Sequence, residues 1–188
     1  MSSNLDDKLA GTLAVALAKK PRANLQQIAK SAGISKATLY RISPTREGII
    51  ELLMELAIKH LQDALVNANL TEPPFTEALA RLTENVIKGG EFYLFWNSTQ
   101  WVQITDDRDA DQACVPSFYE ESLEKFFLEG QKAGVFRIDM PAKWLVKSYD
   151  YLLYAAVESA QRGEVAKVGM GAMVTDIFFC GAVEPSAR

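Results

Sequence analysis

Asn24 to Ile49, NLQQIAKSAGISKATLYRISPTREGI, is the stretch that most narrows what this chain can fold into. Asn24 can cap a helix running from Leu25 to Ala32, with Gln27 at the position that reaches back to the cap. Gly33 ends that helix and supplies the left-handed conformation in which a chain reverses, which most other residues adopt only at a cost. Ser35 can then cap a third short helix through Ile42. Ser43-Pro44-Thr45 interrupts before a long helix from Arg46 to about Ala68, with Glu47 favourably placed in its first turn. Ile28, Ala29, Ile34, Leu39 and Ile42 are spaced to make one small core, and Ala29 is small where the two short helices cross. Two helices meeting at a tight glycine turn form a helix-turn-helix.

The distribution of charge follows the same boundary. The whole chain carries −4, but residues 1 to 46 hold eight basic residues against two acidic ones, a net +6, and the remainder holds −10. Between Lys19 and Arg46 there are seven basic residues (Lys19, Lys20, Arg22, Lys30, Lys36, Arg41, Arg46) and no Asp or Glu. Basic runs are most often solvated faces. Here the run coincides with a structural motif, so the basic end should be drawn toward a polyanion and the acidic remainder repelled from it.

Beyond Ala68 the chain reads as helix after helix. Pro73-Pro74 precedes a helix from about Phe75 to Lys88, which Gly89-Gly90 ends. Glu91 to Thr105 spreads Phe92, Tyr93, Phe95, Trp96, Trp101 and Val102 around most of its circumference, so other helices should enclose it. Asp106 to Gln112 reads as an acidic loop; Asp107, Asp109 and Asp111 have calcium-loop spacing, but Gln112 and Phe118 stand where Gly and Glu are needed. Helices follow over Pro116 to Ala133, from Asp139-Pro141 to about Arg162, and over Glu164 to Ala182, with Val135 to Ile138 a short extended link. The predicted class is all-α.

Several classes of function lose support. No run approaches the roughly 20 apolar residues of a membrane span, and Asp6 and Asp7 stand where a signal peptide wants positive charge, so a cytoplasmic protein is expected. Cys114 and Cys180 lack metal or redox spacing, and the single His60 removes most metal-ligand sets and triads. With no nucleophile motif and no phosphate loop, neither an enzyme nor a cofactor is expected.

Ile28-Ala29, Ala32-Gly33-Ile34-Ser35, Thr38-Leu39-Tyr40 and Ser43-Pro44-Thr45-Arg46-Glu47 together resemble the DNA-binding motif of the TetR (tetracycline-repressor-like) family, which runs roughly IA-x-x-AGVS-x-x-TLY-x-x-FPSKE-x-L. A fainter likeness to a subgroup's C-terminal body lies in Glu129 to Arg137, followed by Trp144-Leu145. Two departures are Ser43, where the family has an aromatic, and the short link Lys19 to Ala23. The resemblance implies a three-helix DNA-binding domain over residues 1–46 and a helical ligand-binding and dimerisation domain over 47–188. It also implies that the helix Ser35 to Ile42 enters the major groove of double-stranded DNA. Ser35, Lys36, Ala37 and Thr38 would then lie nearest base edges, and Tyr40, Arg41 and Arg46 would hold phosphates. Tyr40 has a second reading as a half-buried cover of the motif, and Lys30 reads as an ordinary solvated lysine.

By the same resemblance the last two helices of each subunit form a four-helix homodimer interface. The apolar residues Trp144, Leu145, Tyr149, Leu152, Leu153 and Ala156, then Met170, Met173, Val174, Ile177 and Phe178, agree with it, although burial within one subunit accounts for part of them. Phe92, Tyr93, Trp96, Gln100, Gln103, Phe126, Tyr151 and Tyr154 have the composition of a pocket for a small-molecule effector, and equally that of a core. The expectation is a ligand-responsive repressor that binds a near-palindromic operator as a dimer. The alternative, favoured by Ser43 and the acidic body, is a helical small-molecule-binding or interaction protein with a degenerate head.

Overall fold

Short helices punctuated by Gly and Pro dictate an all-helical chain, and the computed structural model, which describes residues 6–105 and 117–183 and leaves out the side chains of 100–105, contains nine helices among them. In order they are α1 (Asp7–Lys19), α2 (Leu25–Ser31), α3 (Lys36–Ile42), α4 (Arg46–Ala68), α5 (Phe75–Lys88), α6 (Gly90–Thr105), α7 (Phe118–Lys132), α8 (Ala142–Arg162) and α9 (Met170–Ala182). None of the described helices is long and apolar enough to cross a membrane. The chain divides into two compact units, one of residues 1–60 with 89–115, the other of 61–88 with 116–188. α4 contributes to both, and its buried stripe, Ile49, Leu53, Ala57, Leu61, Ala64 and Ala68, follows the helical period.

In the first unit α1 packs along α6 and against α2, and α2 packs against α3. Ala10 and Ala14 are fully buried, and Gly11 lies within van der Waals reach of the Glu91 side chain, so small residues let α1 and α6 approach closely. Tyr93, Phe95 and Trp96 supply the buried bulk of α6.

In the second unit α5 packs on α9, and α8 packs on both α7 and α9. Its centre is aromatic: Phe136 lies 5.1 Å from Phe127, 5.6 Å from Phe126 and 6.4 Å from Phe75 between ring centroids. Edge-on and tilted geometries of this kind suit the charge distribution of the rings. The Tyr149 hydroxyl shares a hydrogen bond of 3.0 Å with the buried Thr83 hydroxyl. Burial pushes both Tyr149 and Tyr119 well above the ordinary tyrosine pKa.

One boundary differs from the sequence pattern by several residues. The last helix begins at Met170, not Glu164, because Gly163 (φ +76°) ends α8 and Gly169 (φ +79°) precedes α9, both in the left-handed region. Residues 164–168, between those two glycines, are irregular and not helical. The extended link after α7 makes one antiparallel bridge, Phe136 to Val183, and Gln131 steadies it by donating from its amide to the carbonyls of Arg137 and Met140. The Asp107, Asp109 and Asp111 loop and Cys114 lie outside the described residues.

Candidate nucleic-acid interface

The α2–α3 pair is built from local chemistry. Asn24 Oδ1 accepts from the Gln27 N–H at 3.0 Å and Gln27 Oε1 accepts from the Asn24 N–H at 2.9 Å, a reciprocal box that satisfies two otherwise orphaned donors. Gly33 takes φ +67°, and beyond it the Ile34 N–H returns to the Ala29 carbonyl at 3.0 Å. Ser35 Oγ then accepts from the Thr38 N–H at 3.1 Å and pairs with the Thr38 hydroxyl at 2.9 Å. The Ser35 and Thr38 hydroxyls thus set the start of α3. Ile28, Ala29 and Leu39 are buried beneath the turn, with Ile34 and Ile42 half-buried at its edge.

With Leu39 turned inward, the helical period leaves Lys36, Ala37, Tyr40 and Arg41 exposed together on the opposite side of α3. Tyr40 is 43% exposed, and the Lys36 ammonium sits 5.3 Å over its ring centroid one turn back. That contact orders a flexible lysine along the surface, since a cation is drawn to the negative face of a ring. With no carboxylate between residues 19 and 46, the face is positive and unopposed by its own segment.

Arg46 has a different surrounding. Its Nε donates to the Ala23 carbonyl at 3.1 Å, its Nη2 donates to the Pro21 carbonyl, and its Nη1 lies 3.8 Å from the Glu47 carboxylate. The side chain therefore binds the α1–α2 link to the start of α4. Ser43, at the family's aromatic position, closes the turn after α3: its hydroxyl accepts from the Thr45 N–H at 3.3 Å and donates to the Thr45 carbonyl at 3.2 Å. Thr45 Oγ1 in turn accepts from the Gly48 N–H at 3.1 Å, and a Cβ on Gly48 would collide with Ser43 Oγ. Serine and glycine thus fit one another here.

The residues expected to wall a ligand pocket are scattered in character. In the first unit Tyr93 and Trp96 are buried and Phe92 is half-buried, 6.3 Å from the His60 ring. The Gln100 and Gln103 side chains lie outside the described residues. In the second unit Phe126 belongs to the aromatic cluster with Phe75, Phe127 and Phe136. Tyr154 is half-buried, with a pKa raised by desolvation and by Glu158, whereas Tyr151 is 53% exposed. No local pattern signals the Arg46 bonds, whose partners are carbonyls more than 20 residues away in the chain.

No protein-family model matches the chain. The HTH-type transcriptional regulator NfxB of Pseudomonas aeruginosa is 32% identical to it over 181 residues, 96% of this chain and 96% of NfxB. The HTH-type transcriptional repressor LfrR of Mycolicibacterium smegmatis is 28% identical over 151 residues, 78% of this chain and 74% of LfrR. Among solved structures, the TetR-like regulator LfrR from Mycobacterium smegmatis superposes with a TM-score of 0.68 at 20% identity, covering 93% of each chain. Its complex with proflavine superposes with a TM-score of 0.63 at 22% identity, again over 93% of each. A relative at this identity along nearly the whole length, on the fold of TetR-like regulators and with the Ala32-Gly33-Ile34-Ser35 turn and Thr38-Leu39-Tyr40 helix in place, makes this chain a member of the TetR family of helix-turn-helix transcriptional regulators.

Proposed function

We propose that the chain is a ligand-responsive repressor that binds a near-palindromic DNA site as a homodimer, reading it with α3. The observation that carries this reading is the exposed set Lys36, Ala37, Tyr40 and Arg41 opposite the buried Leu39, on a segment without a carboxylate. Tyr40 and Arg41 contact phosphate. Ser35, Lys36, Ala37 and Thr38 lie nearest the base edges, because a recognition helix presents its N-terminal residues to the groove. Arg46 is removed from the phosphate set and acts as a positioning residue, since two of its donors already hold backbone carbonyls. Residues 1–46 form the DNA-binding domain, and 47–188 serve dimerisation and ligand response. No catalytic role is assigned, and the site of action is the cytoplasm.

Dimerisation is supported by large apolar side chains left in water. Trp144 (59% exposed) and Tyr151 (53%) are seven residues apart on one side of α8, and Ile177 (56%) is exposed on α9. A second copy that covers them gains about 25 cal/mol for each Å² of apolar surface removed from water. Repression and a small-molecule effector draw support from LfrR, a repressor by name whose structure holds proflavine. The bonds of the Ser43 hydroxyl withdraw support from a degenerate head, because the position is integrated into the turn and is not a gap.

Selection of bound fragments from a random duplex pool with the purified protein tests the reading. Enrichment of a two-fold site occupied by two chains is expected, because two-fold proteins read two-fold sites. A pool that emerges without sequence preference, or a complex of one chain per duplex, contradicts it.

A further inference from the structure

Within the first unit a cavity of about 170 Å³ opens between the end of α1 (Leu17), the start of α4 (Arg46, Ile50, Met54) and α6 (Phe95, Thr99). Its walls are mainly apolar, and its size is close to that of a cavity of about 150 Å³ known to accept benzene. One aromatic ring fits. The polar groups on the lining then select the substituent. Ser98 and Thr99 have already given their hydroxyl protons to the Phe95 and Trp96 carbonyls, at 2.8 Å each, so they offer no ready donor. Arg46 does: Nε and Nη2 hold the Ala23 and Pro21 carbonyls, but Nη1 is 3.8 Å from Glu47, beyond hydrogen-bond length. No carboxylate lines the cavity among the described residues. A ring bearing an anion satisfies the guanidinium, whereas a ring bearing a cation is repelled by it.

We propose that this cavity binds a small aromatic carboxylate and that its occupancy lowers the affinity of the protein for DNA. The coupling runs through one side chain. Arg46 lines the cavity and also ties the α1–α2 link to α4, the link from which the helix-turn-helix begins. A carboxylate that draws the guanidinium toward the cavity weakens the hold on the Pro21 carbonyl and loosens the seat of α2 and α3. Linkage requires that duplex DNA weaken ligand binding by the same factor. The regulatory half of the proposal rests on the reading of the chain as a DNA-binding regulator; the binding half does not.

Benzoate, toluene and benzylammonium, titrated separately into the full-length protein, test the two halves apart. Benzoate should bind about tenfold tighter than either of the others, the factor expected of one charge-assisted hydrogen bond to arginine. Backbone amide NMR shifts should report it at Leu17, Ile50 and Thr99. Thr99→Phe, which fills the space, should abolish binding while the protein still melts cooperatively. Should that variant fail to fold, the order of the three probes on the unaltered protein decides. Benzoate binding no tighter than benzylammonium, or shifts confined to other segments, overturns the site. Equal benzoate affinities with and without the selected duplex overturn the coupling alone. A protein that binds no duplex refutes the function proposed above and leaves the site to be judged on its own titration.

Discussion

Phe136→Ala is expected to destabilise the protein by about 3–5 kcal/mol, the range for truncating a buried phenylalanine whose surroundings collapse only in part. Phe136 is 1% exposed and meets three rings from two helices, Phe75 at the start of α5 and Phe126 and Phe127 on α7. Its backbone is held as well: the Val135 and Phe136 N–H groups both donate to the Gly130 carbonyl, at 2.9 and 3.3 Å, and Phe136 bridges to Val183. A Cβ on Gly130 would collide with the Phe136 ring, so the ring lies directly on the α7 backbone. With the main chain pinned, little can move to fill the space the ring leaves. Urea unfolding monitored by circular dichroism should show a large fall in midpoint with little change in slope. A loss below about 1 kcal/mol would mean that the cluster closes over the gap and that these contacts do not organise the second unit.

Arg46→Ala should lower affinity for DNA at least tenfold on every sequence, because it removes two charge-assisted bonds that seat the link ahead of α2. A hydrogen bond to a charged group contributes about 1.5–3 kcal/mol, and tenfold in affinity corresponds to about 1.4 kcal/mol. Arg46→Lys should recover only part of the loss, since an ammonium at the end of a flexible stem does not reproduce a planar fork reaching two carbonyls. The salt dependence separates this role from phosphate binding. A positioning residue leaves the slope of log K against log salt unchanged, whereas a lost phosphate contact makes it shallower by about one. A shallower slope for Arg46→Ala would return Arg46 to the phosphate set.

Local chemistry made the head legible from the sequence. The Asn24 and Gln27 box, the left-handed Gly33 and the Ser35 cap all lie within a few residues of the groups they satisfy, and each is present as the pattern requires. The start of α9 was not legible, because Glu164 to Val168 reads as helix and the two glycines that free it from the helix differ from ordinary helix ends only through their dihedrals. Long-range partners stayed hidden for a similar reason. Nothing near Arg46 in the chain signals that its guanidinium meets carbonyls at Pro21 and Ala23, and nothing near Phe136 signals Phe75. Aromatic composition was the weakest guide. Tyr149 and Tyr151 are two residues apart on α8, hence on different sides of it, and one is fully buried while the other is exposed.

Whether the exposed face of α3 reads duplex DNA is tested most directly by measuring binding of the unaltered protein, Arg41→Ala and Lys36→Ala to the selected duplex and to a scrambled one across a range of salt. The unaltered protein should prefer the selected duplex and lose affinity steeply as salt rises, because basic side chains displace counterions from phosphate. Arg41→Ala should weaken both duplexes alike and make the slope shallower by about one, and Lys36→Ala should change the preference between them. Binding that ignores salt, that is equal on both duplexes, or that loses its preference with Arg41→Ala while keeping its slope would contradict the assignment of α3 as the reading helix.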